Sequence, residues 1–450
     1  MLDHPILAPR PRHKRVMRNR GVAAGAWIKT VMPGEYTVLV SDLSGFTRIT
    51  KQYGIAHMAS VIIRMRQLCL PIMHKYEVEE VETEADNFIC LFRDPMNALM
   101  AASEMKEVIA LYERSLPADK KHFAPTLGGI GLDIGDGIVV DRWSKFHADV
   151  IRSTYHIGED MCENGEILCS ERVLLQLLGR PELERVKFEG VEGESKTGKL
   201  KRMVGHIGGE VSICSTEMAD HFPTKELLVL TRRHGEGLDL KEHDADLERK
   251  YMKPKAALMF KLDFSEHTDT FGLTQELESK AAVLDALAPA FARYGGVSVE
   301  DFFVVFDRPQ LAVEAALEAR RTLAEYNRLV HCPVERVAAG GWGVHVGKMI
   351  FIAGTDVHWG DPVNTASKMG QDVAEGGEMY ISEEVYKNLD LQSPVLRGCQ
   401  YDARTVTVSK VKIKAYVISD PQLAGGGEGE GEGGSGQAKW RGRGRGCAIS

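Results

Sequence analysis

The sequence predicts an α+β protein of two ferredoxin-like domains, each in the order βαββαβ, and three observations predict it. From Glu35 onward, short alternating apolar runs and longer amphipathic stretches follow one another in that order. The order then returns half a chain later in matching words. Leu91-Phe92-Arg93-Asp94-Pro95 before an Ala-rich helix answers to Val305-Phe306-Asp307-Arg308-Pro309 before another, and Gly129 to Gly135 answers to Gly341 to Gly347. Asn164 to Ser170 answers to Gly376 to Ser382, and the opening strand recurs as Ala257 to Asp263. Finally, 450 residues exceed one ordinary core at about 100 to 200 residues per domain. The repeats are expected over 34–210 and 254–420.

The elements of the first repeat can be justified in turn. Thr37 to Asp42 is an apolar strand ending in a carboxylate, followed by a Ser44-Gly45 turn and a helical pattern from Arg48 to about Tyr76. Val78 to Phe92 reads as two strands joined near Ala85-Asp86. A helix is expected from Pro95 to about Arg114, with proline in its first turn, where no N–H is needed. Leu127 to Val140 is expected to form a hairpin around Gly135-Asp136-Gly137.

Composition excludes some functions. With 44% hydrophobic and 27% charged residues the chain can bury sizeable cores, and its net charge of −8 gives no bulk attraction to nucleic acid. The eight cysteines are scattered with no C-x-x-C pair, which fits reduced thiols in the cytosol. No run approaches 18 consecutive apolar residues, so no membrane span is expected. Residues 1–33 form a basic arm, read as disordered or alternatively as an Arg-rich transit peptide. Residues 211–253 read as a linker with room for one helix, and 421–450 as a flexible Gly-rich tail.

The corner at Asp42 carries the chemistry. A carboxylate at a strand's end can hold a metal ion, and the free amides of a following helix, here over Ser44, Gly45, Phe46 and Thr47, can receive phosphate oxygens. The plainer reading is a turn or capping aspartate.

These stretches together resemble the class III nucleotide cyclase catalytic domain, and the pair resembles the tandem domains of adenylyl cyclases. The resemblance rests on D-L-S-G-F-T at Asp42, Asp86 in E-T-E-A-D, the G-x-G-x-x-x-G strand of both repeats, and Trp359 to Met369. It implies an intramolecular pseudo-dimer with two clefts between the repeats. In the first cleft it implies two Mg²⁺ or Mn²⁺ ions on Asp42 and Asp86, a ribose held by Asn364, and Lys368 stabilising charge on the α-phosphate. The second, degenerate cleft would use Asp263, Glu300 and Lys348 against Arg152 and His156, with Glu82 at a guanine-selecting position. The implied reaction converts ATP, favoured over GTP, to a 3′,5′-cyclic nucleotide and pyrophosphate.

This chain departs from the family pattern at several positions. Lys368 stands for an arginine, Asp136 for a phosphate-binding arginine and Ala85 for a turn glycine. The base-selecting positions fall at Gly296 and Val357. A non-catalytic nucleotide-binding or scaffolding pair is therefore the alternative.

Cys447-Ala448-Ile449-Ser450 fits a prenylation pattern beside Lys439, Arg441, Arg443 and Arg445, which together would anchor a cytoplasmic protein to the membrane. The competing reading is a short Arg-Gly nucleic-acid tail.

Overall fold

The computed structural model describes residues 31–84, 86–140, 145–195, 197–207, 211–213, 241–264, 272–330, 336–352, 357–408 and 411–424. The basic arm up to residue 30, Ala85, most of the linker and the tail with Cys447 lie outside them.

In the first repeat, β1 (Val31–Leu43) leads to α1 (Phe46–Tyr53), α2 (Ile55–Lys75), β2 (Glu80–Glu84), β3 (Asn87–Phe92), α3 (Pro95–Ser115) and β4 (Leu127–Val140). Then come β5 (Lys145–Ala148), α4 (Ile151–Tyr155), a π-helical turn at His156–Met161, β6 (Ile167–Ser170), α5 (Glu171–Leu177), β7 (Lys187–Ser195) and β8 (Gly198–Val204). The strands form one sheet in the order β2-β3-β1-β4-β6-β8-β7, with β5 paired to β4. The β2-β3-β1-β4 portion is antiparallel, and β4 and β6 run parallel. This is the ferredoxin-like order, extended by a parallel strand and a hairpin.

After α6 (Lys241–Tyr251), the second repeat runs β9 (Met252–Asp263), α7 (Leu273–Arg293), β10 (Val297–Glu300), β11 (Phe303–Phe306), α8 (Pro309–Leu329) and β12 (Ala338–Phe351). It continues with β13 (His358–Trp359), α9 (Asp361–Ser367), a π-helical turn at Lys368–Val373, β14 (Met379–Ser382), α10 (Glu383–Tyr386), β15 (Gln400–Val408) and β16 (Val411–Ser419). Its sheet order, β10-β11-β9-β12-β14-β16-β15 with β13 on β12, repeats the first strand for strand.

Two local expectations need correcting. The stretch Leu127 to Val140 is one continuous strand, and the hairpin closes beyond Val140 onto β5. Gly135 and Gly137 do not turn the chain. Gly135 leaves room for the segment before α4, because a Cβ there would lie 2.6 Å from Val150 Cγ1. The helical pattern after Asp42 is two helices, because Gly54 adopts φ 91° between α1 and α2.

Helix α2 shows why the two repeats cannot be separate bodies. It is apolar nearly all round, and a helix of that kind must be covered on every side. Of its most apolar 18-residue window 89% is buried, so its hydropathy serves packing within this fold. α3 and the sheet of repeat one cover one side, and Ile350, Ile352, Val357 and Trp359 of repeat two join the same core. Full burial of each such aliphatic contributes about 1.5–3 kcal/mol. Reciprocally, α7 packs against β4 and β5 of repeat one. Each repeat thus lays its long helix on the other's hairpin.

Candidate active site between the repeats

Asp42 owes its place to a break in the β-ladder. Pairing of β1 with β3 stops at Ser41, and the register with β4 shifts between Ser41 and Leu43, so Asp42 leaves the ladder. Its Oδ1 accepts from the Leu43 amide at 2.6 Å. Gly45 follows at φ 88° as the residue preceding α1, a conformation glycine adopts without strain. Ile49 donates to Gly45 O, the first helical bond, and the earlier amides of α1 have no partner within the helix. Ser44 N donates to Thr126 O at 2.7 Å, which leaves its hydroxyl as the group it can turn to a ligand. Phe46 packs on the core and Thr47 lies in α1.

Asp86 sits in the tight β2–β3 turn, between the paired residues Glu84 and Asn87. Burial first, and then the Asp86 charge, push Asp42 up to about 7, partly offset by the Leu43 amide and by Lys368. Asp86 is also pushed up to about 7, by burial and by Glu159, against its own amide and Arg66. Glu159 is a third acid that the sequence did not announce. It keeps one face open to solvent on the π-helical turn, accepts from Asn87 Nδ2 at 2.8 Å, and is pushed up to about 7 by burial, Asp42 and Asp160.

The opposite wall comes from repeat two. Asn364 lies on α9 and Lys368 one turn later, both half-buried, and the Lys368 ammonium lowers Asp42 and Glu159 from across the interface. Lys368 also reaches Asp372 at 3.5 Å. The glycines of the G-x-G strand explain how this turn gets so close to the sheet. A Cβ on Gly343 would lie 2.5 Å from Gly370 N, and one on Gly131 would lie 2.7 Å from Gly158 N, so the bare strand is what seats each turn. At the head of α9, Asp361 lies 3.5 Å from His345 Nε2, and His345 Nδ1 is 2.8 Å from the buried Ser382 Oγ. The His345 bond and then the Lys51 charge hold Asp361 below the usual carboxylate range.

The carboxylate pair fits a hard divalent cation. Two half-buried acids whose pKa values are pushed up by desolvation and neighbouring charge are stabilised by such an ion, and oxygen donors select Mg²⁺ or Mn²⁺. Among the described residues no group of three or more His, Cys, Asp or Glu forms a metal cage. Such a site leaves the remaining positions to water and substrate phosphates.

The second cleft is arranged differently. The β9–β12 register shifts between Ala339 and Trp342 as the β1–β4 register does at Asp42, but the residue skipped is Lys261. Asp263 pairs with Ala338 beyond the shift, and Glu300 ends β10 opposite Phe303. Asp301, next to Glu300, pairs with Lys280 at 2.9 Å. Arg152 and His156 are exposed, and His156 pairs with Asp160 at 2.8 Å. Lys348 is exposed, Glu82 is half-buried in β2, and Asp136 is exposed on β4. At the base-selecting positions, Val357 is fully buried in the core. A side chain on Gly296 would lie 2.7 Å from the Phe306 ring.

No family model matches the sequence, and no curated protein matches it. Solved structures do. The catalytic core of a rhodopsin-guanylyl cyclase with converted specificity, in complex with ATPαS, is similar at 17% identity and a TM-score of 0.33, covering 40% of this chain and 100% of its own. An adenylate/guanylate cyclase/hydrolase from Silicibacter pomeroyi is similar at 20% identity and TM-score 0.31, covering 38% and 98%. The guanylate cyclase domain of RhGC from Catenaria anguillulae, in complex with GTP, is similar at 16% identity and TM-score 0.31, covering 39% and 97%. Each of these matches spans about one repeat's length. At such identities and TM-scores the likeness decides nothing about the clefts, and their chemistry rests on the geometry above.

Proposed function

We propose that the first cleft converts a nucleoside triphosphate into a 3′,5′-cyclic nucleotide and pyrophosphate. One observation carries this reading: the half-buried pair Asp42 and Asp86 of repeat one faces the Lys368 ammonium of repeat two, with Asn364 one turn from that lysine. A divalent cation on the two carboxylates would supply Lewis-acid charge to the phosphates and the attacking hydroxyl. In the reaction the ribose 3′-oxygen bonds to the α-phosphorus, the bond from the α-phosphorus to the bridging oxygen breaks, and pyrophosphate leaves with that electron pair. Asn364 would orient the ribose. Lys368 would meet the charge that grows on the α-phosphate, and the free amides at the start of α1, over Gly45, Phe46 and Thr47, would receive phosphate oxygens. ATP is the favoured substrate and GTP the second.

The test is product detection from purified protein with ATP and with GTP, each with Mg²⁺ and Mn²⁺, using Asp42→Ala as the blank. Cyclic product above the blank supports the reading and fixes the base. Folded protein without product under all four conditions overturns it.

A second reading is favoured by particular features: Val357 and Gly296 offer no polar group to a base, and Lys368 is shared with Asp372. On that reading the pair binds nucleotide without turning it over. Thermal stabilisation by ATP or GTP with no product would select it.

The membrane association expected from the tail belongs to the same proposal. Cys447→Ser should move the full-length protein from the membrane to the soluble fraction of cells, and unchanged partition would sink it.

A further inference from the structure

Arg66 is a guanidinium with almost no contact with water. It lies in α2 at 1% exposure, on the helix that carries the interface between the repeats. Its Cζ stands 5.3 Å from the ring centre of Trp359, a residue of the other repeat that is itself 1% exposed. A buried arginine needs compensation, and the face of an indole is one source of it. The position of Trp359 gives the contact its meaning. Trp359 ends β13, and after the single residue Gly360 the chain enters α9, which carries Asn364 and Lys368. One side chain of repeat one thus touches the anchor of the wall that repeat two lends to the first cleft.

The duplication supplies an internal control. Helices α2 and α7 are both 21 residues long, each with an internal proline, Pro71 and Pro289, and by that alignment Leu284 takes the place of Arg66. Leu284 packs on the apolar core of repeat two. On the hairpins, Ile350 pairs with Trp359 where Ile138 pairs with His147, so histidine takes the place of the tryptophan. Packing alone would be met by a leucine at both helix positions. The charged, aromatic version stands only across the cleft that holds Asp42 and Asp86.

We infer that Arg66 and Trp359 form a bridge between the repeats that positions α9, and with it Asn364 and Lys368, against the Asp42 and Asp86 carboxylates. Arg66 is a positioning residue and touches no substrate. The inference rests on the proposed reading of the first cleft, and its test has one arm that needs no turnover.

That arm is hydrogen exchange of the full chain, comparing wild type with Arg66→Met, Arg66→Lys and Trp359→Leu. Arg66→Met keeps the length and apolar stem of the side chain and removes the charge. Exchange in residues 357–373 should quicken about tenfold in Arg66→Met and Trp359→Leu while β9 and β12 stay protected, and Arg66→Lys should recover part of the protection. Unchanged exchange in 357–373, or a uniform increase over the whole chain, overturns the bridge. The second arm is kinetic. Arg66→Met should lower kcat about tenfold with KM within about threefold, and in a Lys368→Ala background it should cost less than about threefold more, because both changes act through α9. Full multiplicative losses in the double variant overturn the inference. If wild type makes no cyclic product, the cyclase reading fails while the exchange arm still decides the bridge.

Discussion

The two repeats share a scaffold down to the order of their strands, and they differ where chemistry would occur. In repeat one the ladder shifts at Asp42, and burial first and then neighbouring charge push the Asp42, Asp86 and Glu159 carboxyls up to about 7. In repeat two the ladder shifts at the same place, but the residue it skips is Lys261, Asp263 pairs with Ala338 beyond the shift, and the carboxylate beside Glu300 is paired with Lys280. The histidine that braces α9 from β12, His345, has Asp133 as its counterpart on β4, and Asp133 accepts from Ser153 and Thr197. Asp133 therefore holds its own turn through hydroxyls. Duplication preserved the frame that seats each π-helical turn, while the skipped position of the strand ladder became an aspartate in one repeat and a lysine in the other.

The sharpest way to break this comparison is to remove one strand-end carboxylate at a time. Asp42→Asn keeps the shape and the acceptor for the Leu43 amide, yet removes the charge from the first cleft. Turnover should fall on the order of 10³-fold, about 4 kcal/mol of transition-state stabilisation. Asp263→Asn should change turnover less than about threefold. Equal losses in the two variants would mean that the clefts are functionally alike and that the contrast drawn above is wrong.

The shared frame can be tested by filling its close contacts. Gly131→Ala and Gly343→Ala would each drive a Cβ into backbone, 2.6 Å from Thr154 O in the first repeat and 2.5 Å from Gly370 N in the second. Overpacking of this sort costs about 1–3 kcal/mol and more where backbone must move. Both variants should therefore lose about 3 kcal/mol in urea unfolding. If one repeat tolerates the methyl, the seats of the two turns are not equivalent.

A smaller effect separates the repeats by pH. His57, in the first turn of α2, is 4% exposed, donates from Nε2 to His122 O at 3.0 Å, and is lowered to about 4 by burial. The same helix position in repeat two is Gln275. Between pH 6.5 and 4 the unfolded chain binds a proton that the folded one refuses. Stability from this site is therefore complete above about 6.5 and drains as pH falls toward 4, by roughly 2 kcal/mol at pH 5. His57→Gln should flatten that stretch of the stability curve. An unchanged slope would remove His57 as its source.

What the sequence made legible, and what it hid, follows from distance along the chain. The repeat, both helix-rich halves and the Asp42 corner were legible because each is a local pattern: alternation, a proline at a helix start, a carboxylate before a glycine turn. Gly135 was misread because glycine serves two purposes, and only the packed Val150 reveals that it makes room rather than a turn. Gly54 was missed because the apolar pattern runs straight through it. Glu159 and Arg66 were missed for a deeper reason, since each matters through a partner far away in sequence, Asp42 for the one and Trp359 for the other. A charged residue within the most apolar helix of the chain was the one available signal for Arg66.

The mildest change asks how far the first cleft departs from the cyclase pattern it resembles. Lys368 presents a compact ammonium, is 44% exposed, and stands 3.5 Å from Asp372. Lys368→Arg would extend a planar fork able to make two parallel bonds to one phosphate, at the same charge. Turnover should rise about two- to fivefold, under 1 kcal/mol, with KM little changed, because the added contact forms as charge gathers on the α-phosphate. His156→Arg, the equivalent change across the second cleft, should leave turnover as it is. A loss of activity in Lys368→Arg would mean that the neighbouring residues, Asp372 among them, have settled around a point charge, and that the first cleft has its own solution to holding the phosphate.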